Sequence, residues 1–290
     1  MNKAFLSVNT TLRFLMAAPL LLAIMGQDAA KPPQEETVEA WHQRRIKSLH
    51  RDLGWLTLVA LDWLNEGENH VSGIGLVTLK AGIVSARVPD TLVATVNGTP
   101  FSQGKIAPEG GELSPDTLRI STKTAVVIRR GDRFAIRVWD KEAKTRKDFS
   151  GIERYPVSSR WRIEARWEPY DPPKQIRVPT VVTGLEEDYP VPGVAVFTLD
   201  GKEYRLEPVL EEPNGDYFFI FGDKTNGSET YGAGRFLYTK PAYNGTVIVN
   251  FNKAYNPPCA FTEFATCPLP PQGNKLPIRV DAGEKKYSGH

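Results

Sequence analysis

Apolar and polar residues alternate without a break from Trp161 to Glu168. Trp161, Ile163, Ala165 and Trp167 fall on one side, and Arg162, Glu164, Arg166 and Glu168 on the other. A period of two is that of a strand with one face on a core and the other in water. Further β-rich runs occupy residues 134–139, 194–199, 217–221 and 247–251. Between the runs recur Asn97-Gly98, Asp200-Gly201, Asn214-Gly215, Asn226-Gly227 and Asn244-Gly245, with Gly131-Asp132 as a further turn. Such pairs accept the positive φ angles of tight hairpins.

Residues 35–53 are patterned differently. Val38, Trp41, Ile46, Leu49 and Leu53 recur at roughly helical spacing among charged residues, which predicts an amphipathic helix. Residues 54–64, GWLTLVALDWL, are apolar and aromatic and fit a strand or a short buried helix; Glu66 to Asn69 marks a turn. The pattern predicts a mainly β chain, with two β-sandwich or barrel-like units after a short N-terminal helical segment. The helical lead-in covers residues 31–53, the first β unit 54–150 and the second 151–290. The boundary falls where the charged run 141–147 ends. No repeat of solenoid or propeller period is present.

The chain has 290 residues, 41% hydrophobic and 24% charged, enough for a sizeable core. Its 36 basic and 34 acidic residues are interspersed, so no basic stripe points to nucleic acid. At the N-terminus, Lys3 and Arg13 precede an apolar run over residues 14–25, followed by Gly26, Ala29 and Ala30. That is the composition of a secretory signal peptide over residues 1–30, with cleavage expected between Gly26 and Lys31. The run is short for a membrane span, which needs ~20 apolar residues. The expected location is the periplasm or the medium, with no integral span after removal of the signal. The sequence carries no signature of oligomeric state.

Residues 229–287 hold both cysteines, Cys259 and Cys267, in a stretch dense in Pro, Asn and Tyr. In an exported chain these cysteines are expected to pair, and the short loop they enclose predicts roughly 2.5 kcal/mol of stabilisation. Free thiols and a metal site are the alternatives. The metal is the weaker, because the only histidines are His42, His50, His70 and His290. No cofactor motif is present, and no metal is expected.

Four stretches together resemble one family. They are GWLTLVALDWLNEGEN at residues 54–69, WRIEARWEPYDPP at 161–173, ETYGAGRFL at 229–237, and FNKAYNPPCAFTEFATCPLPP with NKLP at 251–277. The chain is similar in these to the bacterial and archaeal domain-of-unknown-function family 1684, over nearly all of the mature sequence. The resemblance implies no established activity. It departs from the family around residues 70–79, where members often show a Gly-Ser turn and an Asn-Asp-Ile stretch. The first β unit is fainter in its similarity to forkhead-associated sandwiches, through Val96-Asn97-Gly98 and the strands after it. No Ser-x-x-His accompanies them, so phosphopeptide binding does not follow.

No nucleophile elbow, His-Glu-x-x-His or calcium loop occurs, and Gly232-Ala233-Gly234 lacks the third glycine of a dinucleotide loop. Those glycines more naturally serve close backbone approach. What remains is polar and aromatic. Tyr231, Arg235, Asn252, Tyr255 and Asn256, with Asn250 beside them, supply the donors that grip a carboxylate, phosphate or sugar. The same groups equally suit the buried backbone of an irregular loop. The expected function is therefore binding of a small polar or anionic ligand in the cell envelope. One alternative is hydrolysis of envelope or extracellular material, with an acid–base pair drawn from Asp223, Glu229 or Glu263 with Tyr231. Another is a non-catalytic envelope interaction protein. Catalytic residues are not identifiable.

Overall fold

The computed structural model describes residues 36–109 and 114–289. The predicted signal peptide and the start of the helical lead-in lie outside the described residues. Helix α1 (Val38–Leu49) is capped by Thr37, whose hydroxyl accepts from the Ala40 N–H at 3.2 Å. It stops at Leu49, earlier than the periodicity indicates, because residues 50–57 turn back on Gly54. A Cβ at Gly54 would lie 2.3 Å from the Leu49 carbonyl oxygen.

Strands β1 (Leu58–Trp63), β2 (Gly67–Val71), β3 (Gly75–Lys80), β4 (Ile83–Arg87), β5 (Ala94–Val96), β6 (Thr99–Phe101), β7 (Gln103–Lys105), β8 (Leu118–Ile120), β9 (Lys123–Arg130) and β10 (Arg133–Asp140) follow. They form a six-stranded sheet ordered β1-β10-β9-β8-β5-β6 and a four-stranded sheet ordered β2-β3-β4-β7. Side chains of both sheets meet in one core, with Val77, Leu79, Val84 and Ala86 facing Leu118, Val127, Ile136 and Val138.

After the short helix α2 (Lys144–Asp148) come β11 (Arg162–Pro179), β12 (Glu186–Leu199), β13 (Lys202–Leu206), β14 (Tyr217–Phe221), β15 (Arg235–Thr239) and β16 (Thr246–Asn250). One sheet runs β13-β12-β11-β16, and β14 pairs with β15. The alternation at 161–168 holds. Trp161 and Ala165 are buried and Ile163 and Trp167 half-buried, while Arg162, Glu164 and Arg166 are exposed. Phe219, Phe221, Val249 and Phe251 complete this second core. A smaller cluster joins Leu49, Leu56 and Ile152 to Ala260 and Phe261, so the lead-in packs on the cysteine loop.

The turn pairs divide. Asn97-Gly98, Asp200-Gly201 and Asn244-Gly245 take positive φ at both residues, as tight hairpins require. Asn214 has φ 61° without a positive Gly215, and at Asn226-Gly227 only the glycine is positive. Asn226 instead builds its turn with its side chain, accepting from the Asp223 N–H and donating to the Thr230 hydroxyl. The chain is mainly β, in several sheets, with one helix of length near its start.

Candidate functional site

The cavity begins with α1. Trp41, Arg44, Arg45 and Ser48 stand at i, i+3, i+4 and i+7 and so share one helix face, which lines a cavity of about 640 Å³. Across it, Phe218 of β14 and Phe236 and Tyr238 of β15 form an aromatic wall that Tyr255 extends. Phe218 stacks on Tyr238 with ring centroids 4.6 Å apart, and Tyr238 lies near-parallel to Tyr255. Arg130 of β9, Glu187 and Tyr189 of β12 and the loop residue Glu109 line it as well, with Ala265, Thr266 and Cys267 from the cysteine loop. Exposure grades from rim to floor. Arg44, Arg51 and Glu211 are exposed, whereas Phe218, Ala265, Cys267 and Arg137 are buried.

Arg137 is the unusual member. It is only 7% exposed, yet among the described residues no carboxylate pairs with it. The nearby Glu109 and Glu187 each lie 3.7 Å from Arg130 instead. Arg137 Nη2 donates to Thr266 Oγ1 at 3.2 Å, the guanidinium sits 5.7 Å from the Trp55 ring centroid, and Nε has no partner. Burial first, and then the neighbouring Arg130 cation, push the guanidinium below its ordinary value. A buried cation with no paired carboxylate, and only the more distant Glu109 and Glu187 to offset it, is costly, and arginine keeps its proton rather than neutralising. The strand explains its position. β10 is buried on both faces, so Phe134, Ile136 and Val138 point into the first core and Arg137 points the other way, into the cavity.

Arg45 differs. It lies 3.3 Å from Glu284, donates to the Asn256 carbonyl at 2.9 Å and sits 4.6 Å over the Tyr255 ring. Its charge is matched, and it fixes the helix to the wall.

Of the five ligand-binding residues read from the sequence, Tyr255 lines the cavity. The other four bind the protein's own backbone or buried charge. Arg235 is fully buried and pairs with Asp223 at 2.7 Å, while donating to the carbonyls of Val280 and Ala282. Asn252 exchanges two hydrogen bonds with the Ser158 backbone, at 2.9 and 3.0 Å. Asn256 donates from its amide side chain to the Lys285 carbonyl at 2.8 Å, and its N–H to Glu284. Tyr231 donates to the Cys259 carbonyl at 3.0 Å, and burial pushes its phenol up to about 12. Asn250 is buried beside Asn252 and accepts from it at 3.0 Å. Arg235 ties the C-terminal strap, residues 278–287, to β15, Tyr231 holds the cysteine loop, Asn256 joins that loop to the strap, and Asn252 joins the end of β16 to the stretch before β11. Gly234 serves the close approach expected of the glycine pair, since a Cβ there would lie 2.7 Å from the Phe221 carbonyl oxygen.

The acid–base candidates do not come together: two are engaged elsewhere and one faces solvent. Asp223 is bound by Arg235 and by the N–H and hydroxyl of Thr225. Glu229 accepts from Tyr155 at 2.8 Å and from Arg279 at 2.7 Å, and Glu263 is exposed. Cys259 and Cys267 stand as free cysteines side by side in this structure. They are in contact: the Cys259 N–H donates to Cys267 Sγ at 3.2 Å, and the thiols hydrogen-bond each other. That bond holds the Cys259 thiol below its ordinary value, while burial raises Cys267. Among the described residues, no three His, Cys, Asp or Glu side chains are grouped to hold a metal ion.

Arg137 was not legible as a site residue. Its one sequence signal is a charge inside the apolar run FAIRVW at residues 134–139, the pattern of a strand buried on both faces.

Residues 147–285 match the family model described as "Protein of unknown function (DUF1684)". The match begins beyond residues 54–69, so the resemblance read there lies outside it. No curated protein matches the chain. Among solved structures, the chain is similar to the solution NMR structure of the uncharacterized protein from gene locus rrnAC0354 of Haloarcula marismortui. The two share 29% identity and a TM-score of 0.43, over 51% of this chain and 82% of that one.

Proposed function

We propose, for a chain whose residues 147–285 belong to the DUF1684 family, that it binds a small organic anion in the cavity between α1 and the β14–β15 pair. The observation that carries the reading is Arg137, a buried guanidinium with an unpartnered Nε and, among the described residues, no carboxylate in an ion pair with it, Glu109 and Glu187 acting on it only from a distance. A ligand carboxylate or phosphate meeting it on the floor supplies the missing counter-charge in a low-dielectric setting, where a charge-assisted hydrogen bond is strong. The aromatic wall of Phe218, Phe236, Tyr238 and Tyr255 offers an apolar surface for the rest of the ligand. The basic, apolar and small-residue composition of the first 30 residues supports action outside the cytoplasm. No described helix is long and apolar enough to cross a membrane.

The test is a melting series with inorganic phosphate, benzoate and phenyl phosphate on the wild-type chain and on Arg137→Gln. A ligand at 100 times its Kd stabilises by about 2.7 kcal/mol. The reading requires such a shift in the wild type and its loss in the variant. Equal shifts in both proteins, or none with any anion, would refute it.

A further inference from the structure

The cysteine loop carries a second chemistry. Cys259 and Cys267 touch through their thiols, lie eight residues apart, and are not bonded to each other in this structure. Cys259 is half-buried, whereas Cys267 is 4% exposed and lines the cavity floor next to Thr266. The main chain of the loop is anchored around them. Tyr231 donates to the Cys259 carbonyl, the Thr262 hydroxyl donates to the Leu58 carbonyl at 3.0 Å, and the Val181 N–H donates to the Cys267 carbonyl at 2.9 Å. The sulfurs therefore need only close from hydrogen-bonding contact to the bonded separation of about 2.05 Å.

The two thiols are chemically unequal. The more accessible one is held towards its thiolate by the donor beside it, with the Arg137 cation adding to the effect. The buried one is held as a thiol. An accessible thiol inclined to ionise next to a buried partner is the arrangement that favours attack by the first and resolution by the second.

We propose that Cys259 and Cys267 form a reversible dithiol–disulfide couple that reacts with low-molecular-weight disulfides, and that its state tunes the anion cavity through Thr266. The Cys259 thiolate attacks one sulfur of the small disulfide, forming a mixed disulfide and releasing one small thiolate. The Cys267 thiolate then attacks the Cys259 sulfur, and the second small thiolate leaves. The two cysteine protons end on the two released thiolates. The protein is oxidised by two electrons, and one disulfide is reduced to two thiols. The resulting bond pins Cys267, the neighbour of the residue that accepts from Arg137.

The exchange stands by itself, and only its coupling to the cavity rests on the anion reading. The full chain is equilibrated in glutathione buffers, from fully reduced to fully oxidised, then trapped with an alkylating agent and weighed intact. The couple predicts conversion from a doubly alkylated chain to an unalkylated one that is two hydrogens lighter than the unmodified dithiol chain. The change must reverse in reduced glutathione and be absent in both Cys259→Ser and Cys267→Ser. Persistence of two alkylated thiols at every ratio overturns the couple. So does oxidation that stops at a glutathione adduct or yields only linked dimers. Phenyl phosphate affinity is then compared between the two states, where a change of about fivefold or more supports the coupling. Equal affinity removes the coupling and leaves the exchange. Absence of binding in both states, with normal exchange, refutes the anion reading and the coupling that rests on it.

Discussion

Replacing Arg137 with methionine separates a ligand-binding role from a structural one, because the two roles predict opposite changes in stability. Methionine keeps much of the length and apolar volume and removes the charge. In the unliganded protein the guanidinium is 7% exposed, and its desolvation costs several kcal/mol. Against this stand one hydrogen bond to Thr266, at 3.2 Å, worth about 1.5–3 kcal/mol for a charged donor, and a cation–π contact with Trp55 worth about 0.5–1 kcal/mol. These contributions roughly cancel or fall short. Arg137→Met is therefore expected to leave the unliganded protein unchanged or more stable by up to about 3 kcal/mol. At ~2–4 °C per kcal/mol for a chain of this size, Tm rises by up to about 12 °C, while anion-dependent stabilisation disappears. Arg235→Met is the control. It breaks a fully buried pair with Asp223 and frees two carbonyls, so it costs about 3–5 kcal/mol. Urea unfolding of both variants with and without phenyl phosphate reads the comparison. If Arg137→Met loses more than about 2 kcal/mol without ligand, its bond to Thr266 is a structural tie, and the argument from an uncompensated cation fails.

Three further changes test the frame around the cavity. Gly283 has φ +75°, and a Cβ there would lie 2.3 Å from the Ala254 carbonyl oxygen, so Gly283→Ala should cost about 2 kcal/mol or more in urea unfolding. A wild-type midpoint would show that the strap moves freely. His42 is 9% exposed with Nδ1 unpartnered, and burial followed by the Arg154 cation lowers it from 6.5. The unfolded chain then takes up its proton first, so stability is complete above pH ~6.5 and declines as pH falls towards the folded value. His42→Gln should flatten the melting profile between about pH 6.5 and 5.5, and an unchanged slope would assign that decline to other groups. Asn274 is 1% exposed, accepts from the Glu207 N–H and donates to the Glu207 and Ile220 carbonyls, so Asn274→Ala should cost about 3 kcal/mol by thermal melting. A loss below about 1 kcal/mol would mean that water replaces the amide.

Local chemistry explains what was legible. The alternation at Trp161 to Glu168 specifies a strand and its buried face, because successive side chains must point to opposite sides of a sheet. Asn97-Gly98, Asp200-Gly201 and Asn244-Gly245 specify hairpins, because few other residues accept two positive φ angles. The hairpin at Ala81-Gly82 escapes this rule, since alanine takes φ 49° there under the pull of the β3–β4 register and of Glu66, which accepts from its N–H. Helix α1 is legible in its period, but its end is not, because the turn at Gly54 depends on close packing of two backbones.

The site depended on what sequence alone does not contain. The donors clustered in the C-terminal quarter were visible, and so was their double meaning, as ligand donors or as partners for a loop's backbone. Arg235 and Asn252 answer to the second, because both are buried and their polar groups are taken up, Arg235 by Asp223 and two strap carbonyls, Asn252 by Ser158 and Asn250. Arg137 reads as one charge in an apolar strand. It faces a cavity because Thr266, 129 residues away along the chain, bonds to it there and α1 lines the same space. The sequence by itself determined the strands, their faces and most of the tight turns, since those follow from neighbours along the chain. Tertiary structure alone decided which buried charges are matched, because a counter-ion is a property of what packs alongside, and distance along the chain does not set it.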